Sequence, residues 1–212
     1  MNPGVADKAA ERGTWIHNCV ENYVRGLAVH PPADYKPYWD GMPEKLEELL
    51  DGGKILWSEK PFNQPAWAKY VGEDGVGRIH YYDEKTQHGY AGCCDIIYRD
   101  HNGETILGDF KTSTGPYSCN FPRATAQLDD ATRKALVSGV FKLKKTQLQL
   151  AAYKMAAERC LGISIDKTQI IVSTPVPEYS VQVFTFGPKE VEKHETQWLA
   201  VLQKFYENLG QT

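Results

Sequence analysis

Three residues in the middle of this chain have the types and spacing that phosphodiester chemistry asks for. Asp95 is the single acid in the otherwise uncharged run Tyr90–Tyr98, and the run Thr105–Ser113 carries Asp109 and Lys111. Side chains at i and i+2 of a strand share a face, so Asp109 and Lys111 point the same way while Phe110 points opposite, into the core. If the two runs pair as a hairpin, Asp95 joins them across it. Hard carboxylate oxygens suit Mg²⁺ or Mn²⁺. Such an ion polarises a phosphoryl oxygen, lowers the pKa of a water and stabilises the leaving oxygen. A neighbouring lysine with a depressed pKa can orient that water or take its proton. An acid-x-lysine triplet alone is common: Asp109 and Lys111 could equally be a same-face ion pair, and Asp95 an edge-strand charge that blocks aggregation.

The elements that must position these residues can be read from periodicity and breakers. Apolar residues Trp15, Ile16, Cys19, Val20, Tyr23, Val24 and Leu27 repeat at helical spacing, which predicts a helix over 7–29 ended by His30-Pro31-Pro32. A short helix is expected over 43–50, closed by Gly52-Gly53. Strands are expected over 55–62, 90–99 and 104–112, the last two joined by Asp100-His101-Asn102-Gly103 as a hairpin turn. A loop rich in Ser, Thr, Gly and Pro follows over 112–126, well placed to gate a site beside Lys111. Helices over 127–137 and 143–160 come next, the second stopped by Gly162, then strands over 170–174 and 181–186 and a closing helix over 188–209. This order predicts one α/β domain over 1–212, with a mixed central sheet flanked by helices.

Further polar residues fall on these elements in an ordered set. Gly13 and His17 lie on the first helix, Glu59 on the first strand, Gly92 and Asp95 on the second and Asp109 and Lys111 on the third. Gln149 and Tyr153 lie on the long helix, spaced i, i+4 and so facing the same way. Read in order, the set is GxxxH, E, GxxD, DxK and QxxxY, and it resembles the RecB-like exonuclease branch of the PD-(D/E)xK nucleases. The resemblance runs from Gly13 to Tyr153. It implies a restriction-endonuclease-like core and a metal-dependent DNA exonuclease, acting on free ends with a single-strand preference, in replication, recombination or repair. It implies metal ligation by His17, Asp95, Asp109 and Phe110, and a catalytic role for Lys111. Gln149 and Tyr153 would steady the site and contact the DNA backbone. Glu59 would add an acid to the metal site. Without those motifs His17 would read as a boundary residue of an amphipathic helix, and Gln149 and Tyr153 as a polar face and a core-edge aromatic. An endonuclease of the same fold, or an inactive nucleic-acid binding module, are the alternatives; the second predicts a lost acid or lysine, and all are present.

Bulk properties narrow the field. Hydrophobic residues make up 42% and charged residues 24% of 212, ordinary for a globular chain. No apolar run approaches the roughly 20 residues of a membrane helix, and residues 1–11 lack a secretory core, so no membrane partner and a cytoplasmic location (host cytoplasm for a phage protein) are expected. The net charge of -3 neither supports nor excludes DNA, so phosphate contacts must come from local patches. Arg123 and the stretch Arg133, Lys134, Lys142, Lys144 and Lys145 supply one, interleaved with Tyr117, Phe121 and Phe141, which could stack on unpaired bases. Equally, the lysines could be a solvated helix face and the aromatics core. The five cysteines form no CxxC pair, which argues against a zinc knuckle. Cys160 is the only one past Tyr153, so the iron–sulfur cluster of some RecB-like relatives is not expected. No GxxxxGK[ST] loop occurs, so any helicase motor would come from a partner protein.

Overall fold

The computed structural model describes residues 3–60, 65–123 and 125–210. It is an α/β chain with a five-stranded sheet in the order β1-β4-β5-β6-β7 and a separate two-stranded sheet, β2-β3. The strands are β1 (Lys54–Ser58), β2 (Ile79–Asp83), β3 (His88–Gly92), β4 (Ile96–Arg99), β5 (Thr105–Thr112), β6 (Lys167–Ser173) and β7 (Val181–Phe186). The helices are α1 (Pro3–Val24), α2 (Lys36–Trp39), α3 (Met42–Leu50), α4 (Asp130–Leu161) and α5 (Pro188–Leu209).

The large sheet is mixed, as expected. β1 pairs antiparallel with β4, and β4 with β5. Along β5 and β6 the hydrogen bonds from Asp166 N to Thr105 O and from Ser113 N to Ser173 O advance together, so this pair is parallel. A parallel pair needs a long crossover, and α4 supplies it. Thr174 N bonds Ser180 O, and the Gln169 amide donates to Thr185, so β6 and β7 run antiparallel. β5 is buried from Thr105 through Phe110, its polar Thr105 and Asp109 included.

Contacts group the chain into two compact units, Met1–Asp51 with Phe110–Lys144 and Ile170–Phe184, and Gly52–Asp109 with Lys145–Gln169 and Thr185–Thr212. In the first, Ile16, Met42, Leu46, Val140 and Ile171 are almost wholly buried. In the second, Trp57, Ile79, Ile97, Tyr98 and Leu107 are.

Four expectations need correction. The first helix stops at Val24, before the prolines, because Gly26 takes φ +70° and the amides of Gly26 and Leu27 bond back to Tyr23 O and Asn22 O. The first strand ends at Ser58, and residues 61 and 62 lie outside the described residues. The run 90–99 is two strands: β3 pairs with β2, which the sequence reading missed, and β4 pairs in the large sheet. The two helices over 127–160 are one helix of 32 residues. Asp129 caps it, accepting the Thr132 amide at 2.8 Å, and Gly162 at φ +65° ends it. Gly139 does not break the helix because a tertiary contact uses it: a Cβ there would lie 2.6 Å from Pro116 O, so only glycine lets the 113–129 segment pass so close.

Candidate active site

Three acids lie where β1, β4 and β5 of the second unit run side by side. The register pairs Ser58 with Ile96 and Ile96 with Gly108. One step further, Glu59 N donates to Asp95 O at 2.9 Å, and Asp109 is the residue after Gly108 on β5. Glu59 just past β1, Asp95 just before β4 and Asp109 next to Gly108 on β5 therefore form one row at this end of the ladders. Ligand oxygens of Glu59 and Asp95 lie within 4.8 Å of each other, both residues half-buried, and Asp109 is 1% exposed. Asp95 itself lies in the bend between β3 and β4, not within a strand. There the backbone leaves its β2 partner and takes up β1 and β5, which brings a residue from a non-strand position to the head of the row.

The row's charge is felt nearby. The wholly buried Cys94 thiol is held well above its usual range, by burial first and then by the negative charges of Asp95 and Asp109. Burial likewise raises the Cys93 thiol, and Glu59, Asp74 and Asp95 push it up while Arg78 opposes them. Neither cysteine is set up as a thiolate nucleophile or soft metal ligand.

In the first unit, β5 continues from Asp109 into Phe110, Lys111 and Thr112. Phe110 is buried, and its carbonyl lies 2.9 Å from His17 Nε2 on α1. An imidazole N–H donating to that carbonyl fixes the ring beside the residue that follows Asp109. Lys111 is half-buried and, by strand alternation, shares a face with Asp109. Glu21, one turn after His17 on the same face, is buried with Arg25 Nη1 at 3.7 Å. The sequence reading did not single out Glu21; a charged residue four positions after His17 on an otherwise apolar face was the available signal.

In the second unit Gln149 Nε2 donates to Tyr153 Oη at 2.7 Å. Tyr153 packs on Gly92, where a Cβ would meet its ring at 2.6 Å. The pair lines a cavity of about 480 Å³ with Tyr90, Lys145, Leu148 and Trp198. Tyr90 and Trp198 contribute an edge-to-face aromatic wall, ring centroids 5.2 Å apart, and the Tyr90 hydroxyl donates to Ala152 O.

The basic residues divide by what they touch. Lys144 and Lys145 are exposed on α4, as is Arg123 in the preceding loop. Arg133 instead braces that loop, donating to the carbonyls of Arg123 and Ala126. Phe121 and Phe141 are exposed and stack edge-to-face at 5.5 Å, with Lys144 over Phe121. Tyr117 is buried, its backbone held at both N and O by the Gln182 side chain, so it is a wall rather than a stacking surface.

No protein-family model matches the chain, and no curated protein matches it. Among solved structures it is similar to the crystal structure of a "Putative exonuclease" from Eubacterium rectale, at 11% identity and a TM-score of 0.47. The match covers 93% of this chain and 65% of that one, so the chain spans less than two thirds of that structure's length. Among the described residues no helix is long and apolar enough to cross a membrane.

Proposed function

We propose that the chain acts as a single metal-dependent deoxyribonuclease domain, an exonuclease that works on free ends of single-stranded DNA. The observation that carries this is the row Glu59–Asp95–Asp109 with Lys111 two residues beyond Asp109 on the same strand. Carboxylates gathered this closely repel one another, and a divalent cation offsets that repulsion. Glu59 and Asp95 have the donor chemistry to hold one, and the resemblance adds His17 as a ligand. Asp109 adds a buried oxygen donor, and the Phe110 carbonyl that faces His17 Nε2 adds another. The donor set is mostly hard oxygen with one imidazole, which fits Mg²⁺ or Mn²⁺ better than a thiolate metal. Bound there, the ion would supply Lewis-acid polarisation of the phosphoryl group. Lys111 would orient the attacking water and hold its proton. Gln149 and Tyr153, already tied to each other, would support the DNA backbone, and Arg123, Lys142, Lys144 and Lys145 would neutralise phosphates.

The test is incubation of linear and circular single-stranded DNA with the protein in Mg²⁺, Mn²⁺ or EDTA. The linear form should be degraded in either metal, the circle should survive, and EDTA should stop the reaction. The same assay on Asp109→Asn should show no cleavage. Rapid cutting of the circle would favour the endonuclease reading, and binding without cleavage the inactive module.

A further inference from the structure

The cavity beside Gln149 and Tyr153 is walled by rings that are fixed in place. It encloses about 480 Å³, and Tyr90, Ala91, Lys145, Leu148 and Trp198 line it besides that pair. Small-ligand pockets span roughly 300–1,000 Å³, and one water takes only roughly 30 Å³. Tyr90 donates its hydroxyl to Ala152 O at 2.9 Å, stacks on Tyr81 with centroids 5.1 Å apart, and meets Trp198 edge-on at 5.2 Å. Tyr153 is held by the Gln149 amide at 2.7 Å and by its packing on Gly92. Rings tethered on several sides do not swing inward to close the space. Ala91 and Lys145 are exposed, so the cavity is reached from solvent. Its polar groups are few. Gln149 has a second N–H beyond the one given to Tyr153, and its Oε1 is an acceptor. Lys145 adds one positive charge. Aromatic walls, an amide edge and a single cation suit a flat, hydrogen-bonding ring that carries an anion.

We propose that this cavity receives one unpaired nucleobase of a single-stranded polynucleotide, with Lys145 on the phosphate of that nucleotide. The proposal rests on the nuclease reading above and names the part of the substrate that this face of α4 binds. Every base has a π-face that stacks on an aromatic wall, and every base has edge groups that an amide can pair with. Where Gln149 and Tyr153 support the backbone, the attached base lies next to this space. A base in a duplex would have to leave its stack and its partner before entering. The cavity therefore favours single strands by a physical route that the metal site does not supply.

The experiment measures binding in calcium of oligothymidylate and of an abasic oligomer of equal length, for the wild type, Ala91→Leu, Trp198→Leu and Lys145→Gln. The wild type should prefer the thymidylate. Ala91→Leu fills the cavity from an exposed strand position and removes no packing, while Trp198→Leu removes a wall. Each should cut the preference by about 5- to 150-fold, the range that stacking of one base is worth, with affinity for the abasic oligomer unchanged. Lys145→Gln should weaken both oligomers alike and make the slope of log affinity against log salt shallower by about 0.7. Melting curves check the fold, and if Trp198→Leu unfolds, Ala91→Leu decides. A wild type with no preference, or an undiminished preference in Ala91→Leu, overturns the proposal. Continued degradation of linear DNA by the same wild-type protein would then leave the nuclease reading standing. A wild type that binds neither oligomer and degrades no DNA removes both. If thymidine monophosphate raises the wild-type Tm while Ala91→Leu keeps its full preference, the cavity belongs to a free nucleotide and the strand assignment is overturned.

Discussion

Truncating Lys111 separates chemistry from architecture at a single residue. The strand around it is held by the buried run Thr105–Phe110, and Lys111 itself is half-buried at its end. If Lys111 orients and deprotonates the attacking water, Lys111→Ala should lower single-turnover cleavage by about 10²- to 10⁴-fold. Affinity for DNA in calcium should change little, because one phosphate contact among several is a small share of the total. The melt should stay close to wild type. Cleavage within a few-fold of wild type would remove Lys111 from the mechanism. An unfolded mutant would make it a structural ion-pair partner instead. Residue types were the most legible layer of this chain: the Asp-x-Lys spacing, the order of motifs and the shared face of Gln149 and Tyr153 are all local to the sequence. Arg12 and Glu21 were not. Arg12 is placed by its hydrogen bond to Thr112, far from it in sequence, and Glu21 by its burial.

Elements were legible where their signals are local. α5 begins at Pro188 and ends at Leu209 as expected, and Gly162 stops α4. Two features depend on distant partners and were misread. The uncharged run from Tyr90 hides a change of neighbour at Cys93–Asp95, where the backbone passes from one sheet to another. Gly139, between the two helices expected from the sequence, costs a helix about 1 kcal/mol relative to alanine, but its lack of a side chain is what admits Pro116 O. The same logic applies to Gly92. A methyl group there would press on the Tyr153 ring at 2.6 Å, so Gly92→Ala should shift the ring and disturb its bond from Gln149. Overpacking of this kind costs about 1–3 kcal/mol. Cleavage should fall by more than metal affinity does, and Tyr153→Phe combined with Gly92→Ala should lose little beyond the single change. Calorimetric Mn²⁺ titration and cleavage rates on the three proteins check this. A Gly92→Ala enzyme as active as wild type would free Tyr153 of any role in the site.

For the whole molecule, acid sensitivity follows from carboxylates tied down in loops and caps. Asp74 is lowered by Arg78, Asp83 by the Lys85 amide and Asp129 by the Thr132 hydroxyl. Each folded-state pKa lies below its unfolded value. Their stabilising contribution is therefore complete above the unfolded carboxylate value of about 3.9 and is lost as pH falls through the lower folded values. Melting temperature should decline across that acid window, and the decline should be shallower in a combined Asp74→Asn, Asp129→Asn variant. An identical slope in both proteins would show these groups to be as exposed in effect as they are in position. β5 carries a different consequence, one written in the gene. Its side chains alternate with period two, so deleting a single codon within 105–108 would exchange the two faces for the residues on one side of the deletion and take Asp109 out of register with β4. The codons for 113–123 encode a loop, where gains and losses of a residue leave the pleat untouched. Length variation among descendants of this gene should accordingly accumulate in that loop and be purged from the strand before it.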